Sequence, residues 1–120
     1  MYASGVPEPR YEVSEGGEVM NGVELITAER QRQIDAEGWT PEHDDEHKNA
    51  EILSAAVCYS QIARGIEYGH RLGDVANAVY PSWPWDLEWL KPSPDPIRNL
   101  VKAGALICAE IDRLQRKAAL

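Results

Sequence analysis

The chain lacks phenylalanine, a CxxC pair, a long apolar run and any useful stretch of alternating apolar and polar residues. Each absence removes a class of protein. Without a run of about 18 apolar residues there is no candidate membrane span, and without a cationic start leading into an apolar core there is no secretion signal. The expectation is a cytoplasmic protein. Cys58 and Cys108 stand alone in helical apolar patterns, a placement that fits small core residues better than a disulfide or a zinc site. Without period-two alternation there is no sheet to propose, and no internal repeat points to a solenoid.

Positive charge is also scarce. Twelve Lys and Arg face twenty Asp and Glu, for a net charge of -8. A protein that neutralises backbone phosphates needs clustered bases, so DNA, RNA and anionic membrane are poor partners. Only residues 96–120 carry more bases (five) than acids (two). Phosphate-cradling glycine loops of the GxGxxG or Walker A type are missing, as are the local signatures of catalytic serine or cysteine, and no residue is assigned a catalytic role.

What is present is enough for one domain with one core: 120 residues, 43% of them hydrophobic. The four Trp and five Tyr all carry a polar handle, which suits grooves and partly exposed core positions. Residues 1–22 are rich in Gly, Pro, Ser and Glu and read as a flexible N-terminal tail, leaving 23–120 as a single helical domain. Good helix formers then predict a first helix over about 27–37, with Thr27 as N-cap and Gly38 as C-cap. Thr40-Pro41 breaks the chain, and Asp44 or Asp45 offers a cap to a second helix that runs to about Arg64. Its apolar stripe is Ala50, Leu53, Ala56, Val57, Ser60 and Ala63, widened by Ile52, Tyr59 and Ile62. A further turn is expected across Asp74–Tyr80.

Residues 81–96 hold five prolines and three tryptophans in sixteen positions, which excludes a long regular element. They form a loop with one helical turn at 86–90. Asp95 followed by Pro96 starts the third helix, about 96–117, because Asp caps free amides and Pro lacks only a hydrogen that would have no partner. Ile97, Leu100, Val101, Gly104, Ala105, Ile107, Cys108, Ile111 and Leu114 trace its apolar face. The expected fold is all-α: a small bundle of three main helices with a Pro/Trp-rich loop. Three helices make a thin core, so these broad apolar faces also suit a homo-oligomer.

Residues 39–51 bring two imidazoles and five carboxylates to the mouth of the second helix. His47 and Glu51 lie one turn apart and Asp44 just before them, a set that offers one divalent ion three ligands. Oxygen donors with a single imidazole suit Mg2+ or Mn2+ better than Zn2+. The alternative is an acidic helix start that complements the macrodipole. Arg98 and Lys102 stand at i and i+4 near the start of the third helix, where they and Arg30 and Arg32 of the first helix offer donors to an anion. Trp39, Trp83 and Trp85 offer flat faces for stacking a base, or else lids over the core.

Glu29-Arg30-Gln31-Arg32-Gln33, Glu37-Gly38-Trp39-Thr40-Pro41-Glu42-His43-Asp44-Asp45-Glu46-His47, Trp83-Pro84-Trp85 and Arg98-Asn99-Leu100-Val101-Lys102 together resemble a family of small uncharacterised proteins of phages and prophages. That resemblance covers about residues 25–117 and implies an accessory protein working in the host bacterial cytoplasm. A weaker similarity, to MazG-like all-α nucleoside triphosphate pyrophosphohydrolases, implies Mg2+ held by ExxE and ExxD motifs. Here Glu42, Glu46 and Glu51 do not form ExxE, and Glu110 with Asp112 does not form ExxD. The leading expectation is capture of a small nucleotide, such as a bacterial immune signal, by Arg30, Arg32, Trp39, Trp83, Trp85, Arg98 and Lys102. The alternatives are Mg-dependent hydrolysis through Asp44, His47 and Glu51, with Glu46 or His43 as general base, and a protein-interaction module that inhibits a host factor.

Overall fold

The computed structural model describes residues 19–120, so most of the tail expected over 1–22 lies outside the described residues. Within them the regular elements are all helical: α1 (Gly22–Glu37), α2 (Pro41–Asp44), α3 (Glu51–Glu67), α4 (Leu72–Val79) and α5 (Pro96–Ala119), with short 3-10 turns at Tyr80–Ser82 and Leu87–Trp89. The all-α expectation holds. The three long helices expected from the sequence are α1, α3 and α5, joined by one further turn (α2) and one short helix (α4).

The start of α1 differs from expectation because a better cap lies upstream. Asn21 accepts the Glu24 amide at 3.0 Å while the Glu24 carboxylate accepts the Asn21 amide at 3.1 Å, a reciprocal capping box. Thr27 sits inside the helix instead and donates its hydroxyl to the Val23 carbonyl. Gly38 closes α1 as expected, in the left-handed region at φ 75°. Thr40 caps the single turn of α2, with Pro41 at its first position.

Neither Asp44 nor Asp45 caps α3. That helix begins after Ala50, which adopts φ 62° with no side-chain cap, a left-handed conformation that costs a non-glycine residue about 1–2 kcal/mol. The two aspartates are held elsewhere, Asp44 by Arg30 and Asp45 by Arg116. At the other end α3 runs three residues past Arg64, because Gly65 does not break it. Gly65 is buried where α4 crosses, and an added Cβ would meet Cγ1 and Cγ2 of Val75 at 2.7 Å. The missing side chain is what lets α4 approach.

The core lies between α3 and α5, the most extensively packed pair of helices. They run antiparallel: Glu51 at the start of α3 is near Arg113 late in α5, whereas Tyr59 meets Lys102 closer to its beginning. Ile52, Ala55, Cys58, Tyr59 and Ile62 of α3 pack against Ala103, Leu106 and Ala109 of α5, with Trp39, Val79, Trp83 and Leu90 closing the sides. The alanines allow close approach, and the tryptophans supply volume that three small-faced helices lack. Burial pushes the Cys58 thiol above its ordinary value, which suits an inert core residue.

The apolar stripes sit differently from the sequence expectation. On α3 the expected Ala56 and Ala63 are buried together with Ile52, Tyr59 and Ile62, while Leu53 and Val57 are each 44% exposed. On α5 the displacement is larger. Val101 and Ala105 of the expected face are buried, but Ile97, Leu100, Ile107, Ile111 and Leu114 are 41–58% exposed, and the rest of the inner face is Arg98, Asn99, Lys102, Ala103, Leu106, Ala109, Glu110 and Arg113.

Gly65→Ala should therefore destabilise the fold by roughly 1–3 kcal/mol through overpacking, despite the better helix propensity of Ala. Adding Val75→Ala should restore most of that loss in urea denaturation. A Gly65→Ala protein as stable as wild type would show that α4 does not depend on this contact.

Candidate functional site

The inward charges of α5 meet a partner from α1. Glu29 is fully buried; one carboxylate oxygen accepts Arg98 Nη1 and Arg32 Nε, both at 2.9 Å, and the other accepts Arg32 Nη2 at 3.0 Å and Gln33 Nε2 at 3.2 Å. Arg32 also reaches Glu37 at 2.8 Å. Its guanidinium stays charged well above the usual range because the Glu29 hydrogen bonds outweigh burial. The face that α1 turns toward the body of the protein thus carries the buried Glu29 and Gln33 beside the half-buried Ile26.

On its next position α1 reaches α2. Arg30 donates to Asp44 at 2.8 Å and to the Trp39 carbonyl at 3.3 Å. Burial nevertheless pushes the Asp44 carboxyl above its ordinary value, the opposing pull of Arg30 being the smaller effect. Arg116, late in α5, donates to Asp45 at 2.8 Å and to the Pro41 carbonyl at 3.2 Å. That hydrogen bond holds the Asp45 carboxyl below the usual carboxylate range.

The proline-rich loop is fastened to the inner face of α5 by polar side chains. Asn99 accepts the Ser93 amide at 2.8 Å and donates to the Ser93 carbonyl at 2.7 Å, and Lys102 donates to the Lys91 carbonyl at 2.6 Å. The Tyr59 hydroxyl accepts the Lys91 amide at 3.0 Å. A segment that cannot form a backbone ladder has its buried carbonyls and amides satisfied in this way. Lys102 also lies 5.4 Å from the Tyr59 ring centroid, a cation–π position. From Tyr59 the rings continue: Trp83 at 5.8 Å, Trp85 at 5.4 Å from Trp83, His47 at 5.1 Å from Trp85, and His43 at 5.3 Å from His47.

The residues singled out for a nucleotide are thus brought into one region, and each described cation there has a protein partner. Arg30, Arg32 and Arg98 are on carboxylates and Lys102 is on a carbonyl. Trp39 and Trp83 are buried, and Trp83 donates its indole N–H to the Asp86 carbonyl at 3.0 Å; Trp85 is half-buried. Arg98, expected near the surface at a helix start, is 5% exposed, because Glu29 of α1 covers it.

Of the three expected metal ligands, His47 and Glu51 do approach, with Nδ1 3.5 Å from a carboxylate oxygen, whereas Asp44 turns to Arg30. Glu51 ionises below its ordinary value; burial opposes this, but the amides of Asn49 and Glu51 and the His47 side chain prevail. Among the described residues no group of three or more His, Cys, Asp and Glu side chains is placed to hold a metal ion.

Sequence reasoning missed two features. Glu29 gives no sign of burial, since a lone Glu amid Arg and Gln looks like a solvated helix face; its i+3 and i+4 neighbours Arg32 and Gln33 are the only local signal. The other is the outward direction of the large aliphatic residues of α3 and α5, which the sequence places on one stripe of each helix without showing where it points. On that outer side Leu53 and Val57 border a groove shared with Ser60, Arg64 and Ile107, and Leu100, Ile111 and Leu114 extend the surface along α5.

Arg98→Ala should cost about 3 kcal/mol, because it leaves the Glu29 charge buried with one guanidinium fewer. Combined with Glu29→Gln, the loss should be smaller than the sum of the two single losses in urea denaturation. Additive losses would show that the pair is not coupled. A pH test addresses Asp45. It ionises at lower pH in the folded than in the unfolded chain, so its contribution is complete above the ordinary carboxylate range and is lost as pH falls through the depressed value. The small Tm advantage of wild type over Asp45→Asn at pH 7 should accordingly vanish on acidification. An advantage that persisted below that range would place the effect elsewhere.

No family model matches the chain, and no curated protein or solved structure is significantly similar to it.

Proposed function

We propose that the protein is an interaction module whose working surface is the outer aliphatic face of α3 and α5. One observation carries this reading: α5 turns Arg98, Lys102, Glu110 and Arg113 inward and leaves five aliphatic residues 41–58% exposed along the opposite side. A helix of a self-sufficient monomer has the reverse arrangement. The seven aliphatic residues of α3 and α5 together expose on the order of 600 Å2, at the upper end of what a monomer shows. Burial of such a surface against another protein is favourable and needs no catalytic group.

Capture of a small nucleotide by the tryptophans and arginines would require Arg32 and Arg98 to leave Glu29, stranding a fully buried carboxylate. Metal-dependent hydrolysis would require Asp44 to leave Arg30. An interaction module costs neither rearrangement. The aliphatic face takes the place of the tryptophan loop as the energetic centre, because Trp83 and Trp39 are already packed in the core.

Nucleoside mono-, di- and triphosphates and cyclic dinucleotides, each with and without Mg2+, should leave the Tm unchanged, and chromatography should recover them intact. Ligand at a hundredfold over Kd would add about 2.7 kcal/mol to stability. A shift of that size, or cleaved product, would overturn the proposal in favour of a nucleotide site.

A further inference from the structure

We infer that the occupant of this face is a second copy of the chain, docked about a twofold axis with the two α5 helices antiparallel. The inference rests on the interaction-module reading and names its partner. A twofold interface requires a surface complementary to itself. The aliphatic stripe of α5 is compatible with that condition: Ile97, Leu100, Ile107, Ile111 and Leu114, with the half-buried Gly104 between Leu100 and Ile107, follow the three- and four-residue spacing of one helix face, which lets the helix lie antiparallel on itself in register. Laid antiparallel on itself, the helix brings Ile97 level with the copy's Leu114, Leu100 level with Ile111, and Ile107 level with Gly104. Large residues thereby meet large ones away from the axis. Near the axis each Ile107 comes level with Gly104, whose missing side chain is replaced by Ile26 of α1, so the aliphatic surface there is completed from α1.

Charge and area agree with this pairing. Five residues between Ile97 and Leu114 are charged, and four of them, Arg98, Lys102, Glu110 and Arg113, are buried on the opposite side of the helix. The outer stripe itself carries none, so the chain's net charge of -8 places no like-charge pair along it, and Arg64 stands at the rim. Two patches of about 600 Å2 amount to roughly 1,200 Å2, the lower bound of a stable interface before Leu53, Val57 and the groove beside Ile107 draw in their polar rim. Charged residues are depleted from interface centres in the same way.

Light scattering on the full chain at tens of micromolar should give twice 13.4 kDa. Ile107→Glu and, independently, Leu100→Glu should each return the mass to 13.4 kDa with an unchanged helical spectrum, because both positions are exposed within one copy. For the register, Leu100→Cys and Ile111→Cys are placed in separate Cys108→Ser chains, mixed and oxidised. Cross-linking of unlike chains, well above that of either chain alone, is the expected result. Like-with-like cross-linking would overturn the antiparallel arrangement. A wild-type monomer at 100 µM would overturn the second copy, and a dye probe then separates the two ideas. Anilinonaphthalene sulfonate bound to that monomer and lost in Ile107→Glu leaves the face to a different protein, whereas no such binding overturns the interaction-module reading as well.

Discussion

The buried carboxylate of Glu29 is the constraint on which the rest of the arrangement depends. A charge taken out of water is tolerated only when its lone pairs are filled, and here two guanidiniums and one amide fill them. Arg32 and Gln33 come from the same helix, but Arg98 comes from α5, so the carboxylate fixes how α1 lies on α5. It equally fixes the rotation of α5 about its own axis, because Arg98 must point inward to reach it.

That rotation has consequences along the whole helix. Residues at three- and four-residue spacing from Arg98 follow it inward: Lys102 to the loop carbonyl at Lys91, Ala105 and Ala109 into the packing, and Arg113 to Glu110 at 2.6 Å. The opposite face is turned to solvent, and it holds most of the large aliphatic residues of α5. The protein gives up the burial of these side chains within one copy. In exchange it gains a satisfied ionic network and a fastened proline-rich loop. An aliphatic face opposite a charged interior is the arrangement expected of a chain that completes its core by association.

The sequence was legible where local chemistry decides. Asp95-Pro96 began α5 as expected, Gly38 closed α1, the turn near Asp74–Tyr80 formed as α4, and the segment with five prolines stayed irregular apart from short turns. It was illegible where a distant partner decides. Thr27 lost the N-cap to an upstream Asn21–Glu24 box, and Asp44 and Asp45 lost theirs to arginines 14 residues before and 71 residues after them. The candidate ligands Arg30, Arg32, Arg98 and Lys102 were gathered as the pattern implied, yet by internal carboxylates and carbonyls. Spacing along a helix shows which side chains share a face. It does not show whether that face is turned to a ligand, to the core or to water.

By itself, then, the sequence determined that the described chain is helical, where its longest helix starts, and that an aliphatic ridge runs along that helix, broken only by Gly104. These follow from caps, breakers and periodicity, which act within a few residues. Only the tertiary structure decided which way the ridge faces. The hydrophobic effect draws any aliphatic stripe inward with no direction of its own, whereas the Glu29–Arg98 pair is directional, buried and short, and it settles the rotation against the stripe.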